Sequence, residues 1–571
     1  MPKDQTELSD AIKLAKIEHT YIINFDASIF SEILEFVKQD FKNLSRQITI
    51  LGCDGGFSKC IPKQNWTHLT TEDACDACKT CQLKQDVTNR KIDFPKYYLE
   101  RNFLPTEVEE FLNSDPIEMK HYLDFEYEGI HIFRLVAFDL VSQARSLNPF
   151  ELFSGENLDF RLRLLDVCNL INWLKLSINF DRSTLLLACN GNYMLNSVCR
   201  EIARLNNGHF LSVEMEPIQN TGYRRFKYFE GRDAINSKSR SWNNYLGYSF
   251  RRRNFSKVLK QFENRFKGNA HNSYVIKKDD LDTREKIENL RKRTNSIRSV
   301  FLSSSEELLA HAIAFDHNFS FEYYVNHQTN FLRYLIEEAA NFPEIGIVVR
   351  CHPRQGISKK SSVISEEYRV IQMLIDSSEL PENILFIEPS DLISSYKVIA
   401  LSQAVYIFWS TIGLESILLG TPTITLAPEI EIWPLKELTN CQFENSEVAW
   451  SSIFSDTVSV GLPSNQCVIE WYERTFYGNW YQTCIPILTS STLLRPRNLV
   501  WRVIDKYGFR ELVVKKWIQI FSTDKALNER YRTRSRWSFL EIFLRRMSYL
   551  ELIRWRDHWH RELVGKNQDI N

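Results

Sequence analysis

The chain has 571 residues, 43% of them hydrophobic, 25% charged and 13% aromatic. That balance excludes a disordered chain, and no run approaches the ~20 apolar residues of a membrane helix. Lys and Arg number 71 against 72 Asp and Glu, so net charge points to no partner, and the length predicts roughly two to four domains.

In chain order, residues 20–26 (TYIINFD) and 47–53 (QITILGC) have the β-branched content of strands, and 28–41 between them has helical spacing behind Ser28. Five cysteines, Cys53, Cys60, Cys75, Cys78 and Cys81, then fall within 29 residues, leaving seven for the rest of the chain. The Cys-x-x-Cys spacing suits a structural zinc site, with Cys53, Cys60, Cys75 and Cys78 as the candidate set. Unligated thiols and an iron–sulfur cluster are the other readings. After a mixed segment, 161–178 predicts a buried helix, 183–190 a strand, 192–206 a helix and 209–217 a strand.

Residues 218–298 are polar and rich in Lys and Arg, and predict a connector of helices and loops. The strand–helix alternation then resumes. Strands are expected at 299–305, 345–351, 384–389, 404–410 and 421–427, with helices at 321–340, 365–379, 391–402 and 412–419. Gly420 followed by Thr421-Pro422 gives a helix stop. Alternating strands and helices imply parallel sheets covered on both faces, and ligands of such sheets sit outside the carboxyl ends of the strands. The expected architecture is therefore α/β, with two Rossmann-like domains facing each other. The two expected Rossmann-like domains are residues 1–217, with a cysteine-rich insertion at 53–81, and residues 299–450. A basic, aromatic, helical tail occupies 451–571.

Two turns at expected strand ends carry phosphate chemistry. Arg350-Cys351-His352-Pro353-Arg354 presents two guanidinium forks and an imidazole where Pro353 ends a strand. Phe408-Trp409-Ser410-Thr411 opens a helix whose free N–H groups, with the two hydroxyls, suit an anion. Glu415, one turn on, is placed for a ribose diol. A catalytic base would come from the carboxylates Asp26, Asp54 or Glu214, of which Glu214 is best placed, next to Asn190-Gly191. No paired-aspartate motif for a nucleotide-bound metal stands at a strand end, so metal-independent chemistry is expected.

Several segments together resemble the bacterial capsule and surface-polysaccharide glycosyltransferases of the two-Rossmann, GT-B type. They are Ser303-Ser304-Ser305-Glu306-Glu307, Gln328, residues 347–354, residues 391–396, residues 410–416 and Gly420-Thr421-Pro422. Asn190-Gly191 and Glu214 are similar, more weakly, to the N-terminal half of that family. The His-Pro pair with a later Ser-Ser or Ser-Thr pair is also similar to sialyl- and Kdo-transferases, which hold the CMP of their donor there; here the pair is Ser410-Thr411. The resemblance implies a nucleotide-sugar donor held by Arg350, His352, Arg354, Ser394, Ser395, Ser410, Thr411, Glu415, Ser304 and Ser305. Catalysis would fall to Glu214 and His352, and the acceptor would be a growing or lipid-linked glycan of capsule or lipopolysaccharide. Rival readings are a CDP-polyol phosphotransferase, a nucleotide-sugar 2-epimerase and a noncatalytic scaffold of a polysaccharide assembly complex.

Residues 495–571 carry 18 Lys and Arg against 9 Asp and Glu, interleaved with Trp501, Trp517, Trp537, Trp555 and Trp559. Such helices suit packing across both domains or peripheral contact with an anionic membrane. No nucleic-acid partner is expected, because the basic residues avoid the motif strands. The segment MPKDQTELSD lacks an apolar signal core. A cytoplasmic location is therefore expected, at most peripheral to the inner membrane.

Overall fold

The computed structural model describes residues 17–23, 25, 47–53, 57–58, 90–94, 103–114, 118–189, 191–218, 223–230, 259, 262–263, 266–267, 281–315, 321–357, 363–430, 443–455 and 537–564. The expected helix at 28–41, Asp26, Asp54, Asn190 and Cys60, Cys75, Cys78 and Cys81 lie outside them. Among the described residues no helix is long and apolar enough to cross a membrane.

The first sheet contains β1 (His19–Ile23), β2 (Gln47–Cys53), β3 (Arg90–Phe94), β4 (Thr184–Cys189), β5 (His209–Ile218) and β6 (Tyr223–Glu230). Their order is β3-β2-β1-β4-β5-β6, parallel except for β6. Helices α1 (Ile132–Ala144), α2 (Leu158–Ser177) and α3 (Met194–Leu205) cover it. The second sheet contains β7 (Ser296–Phe301), β8 (Ile345–Arg350), β9 (Ile384–Ile387), β10 (Ala404–Ile407) and β11 (Thr423–Thr425), all parallel, in the order β11-β10-β7-β8-β9. Its helices are α4 (Leu281–Arg293), α5 (Ser305–Phe315), α6 (Phe321–Ala339), α7 (Glu366–Ser377), α8 (Ser395–Leu401) and α9 (Ile412–Leu419). Counted from its own first strand, each sheet runs 3-2-1-4-5, the doubly wound Rossmann order. In that order the crossovers change side between strands 1 and 4 and open a crevice at their carboxyl ends.

Two strands differ from expectation. Residues 223–230, placed by sequence in a connector of helices and loops, form β6 and extend the first sheet antiparallel to β5. Residues 90–94 form β3 at the opposite edge. Both are edge strands rich in Arg and Lys. Charge protects an exposed edge from further pairing, and it also hides the strand pattern in the sequence. The helix expected from 391 starts at Ser395 instead. Asp391 is held in a turn, its Oδ2 accepting from Glu388 N at 2.8 Å and its carbonyl accepting from Ile393 N at 3.0 Å. Gly420 ends α9 at φ +86°, as its sequence context predicts.

The described part of the tail is α10 (Trp537–Val564). Leu552, Trp555, Trp559 and Leu563 are buried in the core of the second unit with α8 and α9. Arg556 donates to Leu418 O at 2.6 Å and Ile417 O at 2.7 Å, satisfying carbonyls at the end of α9. Two of the tryptophans offered for a membrane surface are thus core residues; Trp501 and Trp517 lie outside the described residues.

Candidate functional site

Three segments meet at the carboxyl edge of the second sheet, around its switch between β7 and β10. They are Leu302–Ser305 after β7, the turn His352–Gly356 after β8, and Phe408–Thr411 after β10. The indole Nε1 of Trp409 donates to Ser304 O at 3.4 Å, joining the first to the third across the switch.

Arg350 closes β8. Side-chain alternation puts Val348 and Arg350 on the α8 face and Val349 and Cys351 on the other, where Cys351 is buried. Arg350 is only 2% exposed, and its Nε and Nη1 have no hydrogen-bond partner among the described residues. Burial pulls the guanidinium down to about 10, with the carboxylate of Asp391 acting the other way, so it remains a cation at neutral pH. A buried cation with two unmet donors is costly unless an anion completes it.

His352 follows. Its Nδ1 accepts from Arg354 N at 3.2 Å, so the neutral ring carries its proton on Nε2. Burial, then the positive charges of Arg354, Arg350 and Arg145, drive its pKa down to about 4. The imidazole is therefore a neutral donor at physiological pH. Arg354 is already engaged, by an ion pair with Glu307 and by Nη2 donating to Ser142 O at 3.3 Å.

Behind the turn lies a buried polar cluster that links α5, α6 and α7. Gln355 Oε1 accepts from His352 N at 2.8 Å, while its Nε2 donates to Glu367 Oε2 at 2.9 Å and Ser303 O at 3.2 Å. Glu367 also accepts from the Ser305 hydroxyl, from Ser305 N at 3.2 Å and from Gln328 Nε2 at 2.6 Å. Gln328 in turn accepts from Ser303 N at 2.7 Å. Burial pushes the Glu367 carboxyl up to about 7, and the nearby Glu306 adds to this; the hydrogen bonds act the other way.

Sequence-selected residues are divided by this geometry. Arg350, His352, Arg354 and Ser304 stand at the crevice. Ser305, expected at the donor, is fully buried with its hydroxyl committed to Glu367, and Gln328 lies in the same interior cluster. Ser394 stands at the N-cap position of α8, without a side-chain cap hydrogen bond, and is buried, with Ser395 as the first helical residue. Thr411 is exposed at the start of α9. The N–H groups expected to be free there are already used: Ile412 N reaches Ser410 Oγ at 3.4 Å, Gly413 N the Ser410 carbonyl and Leu414 N the Thr411 carbonyl. Glu415 is 5% exposed, buried within α9 rather than open to a ribose. Glu214 sits in β5 opposite Lys227 of β6. Of the four proposed zinc ligands only Cys53, a half-buried thiol at the end of β2, lies among the described residues. In the first unit, the carboxylate of Asp139 already occupies the start of α3, accepting from Met194 N at 3.3 Å. Sequence reading missed Arg145, Gln355 and Glu367. Each acts on a partner brought close only by folding, so no local signal marks them.

No family profile and no curated protein matches the chain. Among solved structures it is similar to Thermosulfurimonas dismutans KpsC, described as a β-Kdo 2,4 transferase, with 12% identity, 42% of this chain and 68% of that one covered, and a TM-score of 0.24. It is also similar to S. aureus MnaA solved with UDP (10% identity, 76% and 87% covered, TM-score 0.27). A third similarity is to Neisseria meningitidis UDP-GlcNAc 2-epimerase bound to UDP-GlcNAc (10% identity, 80% and 93% covered, TM-score 0.26). Scores this low leave the functional reading to the chain's own geometry.

Proposed function

We propose that the second unit binds the phosphate of a nucleotide-activated sugar at Arg350 and His352, and that the protein is a glycosyltransferase of surface-polysaccharide synthesis, with a CMP-linked sugar such as CMP-Kdo as its donor. The supporting observation is Arg350: a buried guanidinium whose Nε and Nη1 have no partner among the described residues, at the carboxyl edge of a Rossmann-like sheet. A departing nucleotide phosphate is the chemistry such a group serves. Arg350 would neutralise the charge that develops as the glycosidic C–O bond breaks, and the Nε2–H of His352 would donate to a phosphate oxygen. The acceptor, a hydroxyl of a growing or lipid-linked glycan, attacks the anomeric carbon. Its proton passes to a carboxylate of the first unit, for which Glu214 is the candidate.

The test is thermal stabilisation by CMP, CDP, UDP and GDP of the wild type, Arg350→Met and His352→Ala. A ligand bound only to the native state raises the midpoint with the logarithm of its concentration over Kd. Because an unpaired buried charge is costly, R350M without nucleotide should be at least as stable as the wild type while losing the nucleotide-induced shift. H352A should lose part of that shift. Stabilisation by CMP alone supports a Kdo- or sialic-acid-type donor; selective CDP or UDP redirects the donor to a polyol phosphate or a hexose. Failure of every nucleotide to stabilise the wild type overturns the reading.

A further inference from the structure

The turn that carries His352 is held from the other unit. Arg145 is the C-cap of α1, its N–H donating to Val141 O, and it adopts the left-handed conformation (φ 52°, ψ 39°). That conformation swings the chain out of the helix, and the side chain, 4% exposed, crosses to the second unit. There Nη1 donates toward three carbonyl oxygens: Arg354 O at 2.6 Å, Gly356 O at 2.9 Å and Val363 O at 2.7 Å. Carbonyls at a turn need donors, and the two N–H groups of one guanidinium nitrogen gather three of them, one N–H being shared. Neighbouring residues repeat the crossing. Glu366 N donates to Arg145 O at 3.0 Å, Ser146 Oγ and Leu147 N reach the Glu366 carboxylate at 2.8 and 2.6 Å, and Arg354 Nη2 donates to Ser142 O. The positive charge of Arg145 is also felt at His352.

We propose that Arg145 is a positioning residue that fixes the His352–Gly356 turn across the boundary between the two units, so that nucleotide affinity in the second unit depends on a side chain of the first. This rests on the nucleotide reading above. Without Arg145 the turn samples other conformations, and apparent affinity falls in proportion to the time it spends competent. Lys at this position offers three N–H donors on one nitrogen and restores the contact in part; Met fills the space and restores nothing. Gly tolerates the left-handed backbone, so Arg145→Gly removes the side chain without straining the helix end.

The experiment combines hydrogen exchange of the amides in 352–357 with nucleotide titration for the wild type, R145M, R145G and R145K. Faster exchange and roughly tenfold weaker binding in both R145M and R145G, with R145K within about threefold of wild type, is the expected pattern. Wild-type exchange and affinity in R145M and R145G overturn the proposal. Should no nucleotide bind the wild type, the nucleotide reading fails by itself; exchange in the turn still decides whether Arg145 holds it, with unchanged rates overturning that.

Discussion

His352 and Glu367 sit on opposite sides of one turn and are pushed by burial in opposite directions on the pH scale. Unfolded, His352 titrates near 6.5; folded, at about 4. Between those values the unfolded chain binds more protons, so the share of stability carried by neutral His352 is present above 6.5 and is lost as pH falls through 4. Glu367, raised to about 7, has the reverse sign, being penalised as pH rises through 7. Urea midpoints of wild type and His352→Ala compared from pH 7 to 4 should therefore converge or cross as the pH drops, because only the wild type bears the His352 loss. A constant gap across that range contradicts a neutral His352. The His-Pro turn was legible because Pro punctuates a strand end and Arg350, His352 and Arg354 lie within five adjacent residues. The partner of Ser305 was not legible for the opposite reason: Glu367 is 62 residues away.

Within elements, the start of α9 shows how tightly the crevice is built. A Cβ on Gly413 would lie 2.2 Å from Ile407 Cδ1 and 3.3 Å from its Cγ1. Ile407 is fully buried in β10, so its Cδ1 has little room to yield. Gly413→Ala should cost about 1–3 kcal/mol, the range for overpacking a filled core. Ile407→Val, which removes the clashing methyl, should recover part of that in the double variant, measured by denaturant titration as a double-mutant cycle. Strict additivity of the two changes argues against the contact. Core strands such as β8, buried at every position, announce themselves as continuous apolar runs. The charged edge strands β3 and β6 do not.

Over the whole molecule, α1 ties the two Rossmann-like units together. Leu309, Ala310 and Ile313 of α5, in the second unit, belong to the apolar core of the first. At the other end of α1 from Arg145, buried Arg134 donates from Nη1 to Ile313 O at 2.9 Å, at the carboxyl-terminal part of α5 where a cation is favoured. Neither unit keeps its buried surface without the other, so calorimetry should give one cooperative transition, and two well-separated endotherms would refute the shared core.

The sequence by itself determined the alternation of strands and helices, the two Rossmann-like sheets and the turn at Pro353 that ends β8, because these follow from periodicity and from Pro and Gly placement over a few adjacent positions. Only the tertiary structure decided that the Ser305 hydroxyl feeds Glu367, that Nε and Nη1 of Arg350 have no partner among the described residues, and that Arg145 crosses between units. Burial and pairing depend on residues far apart in the chain, and no local pattern records them.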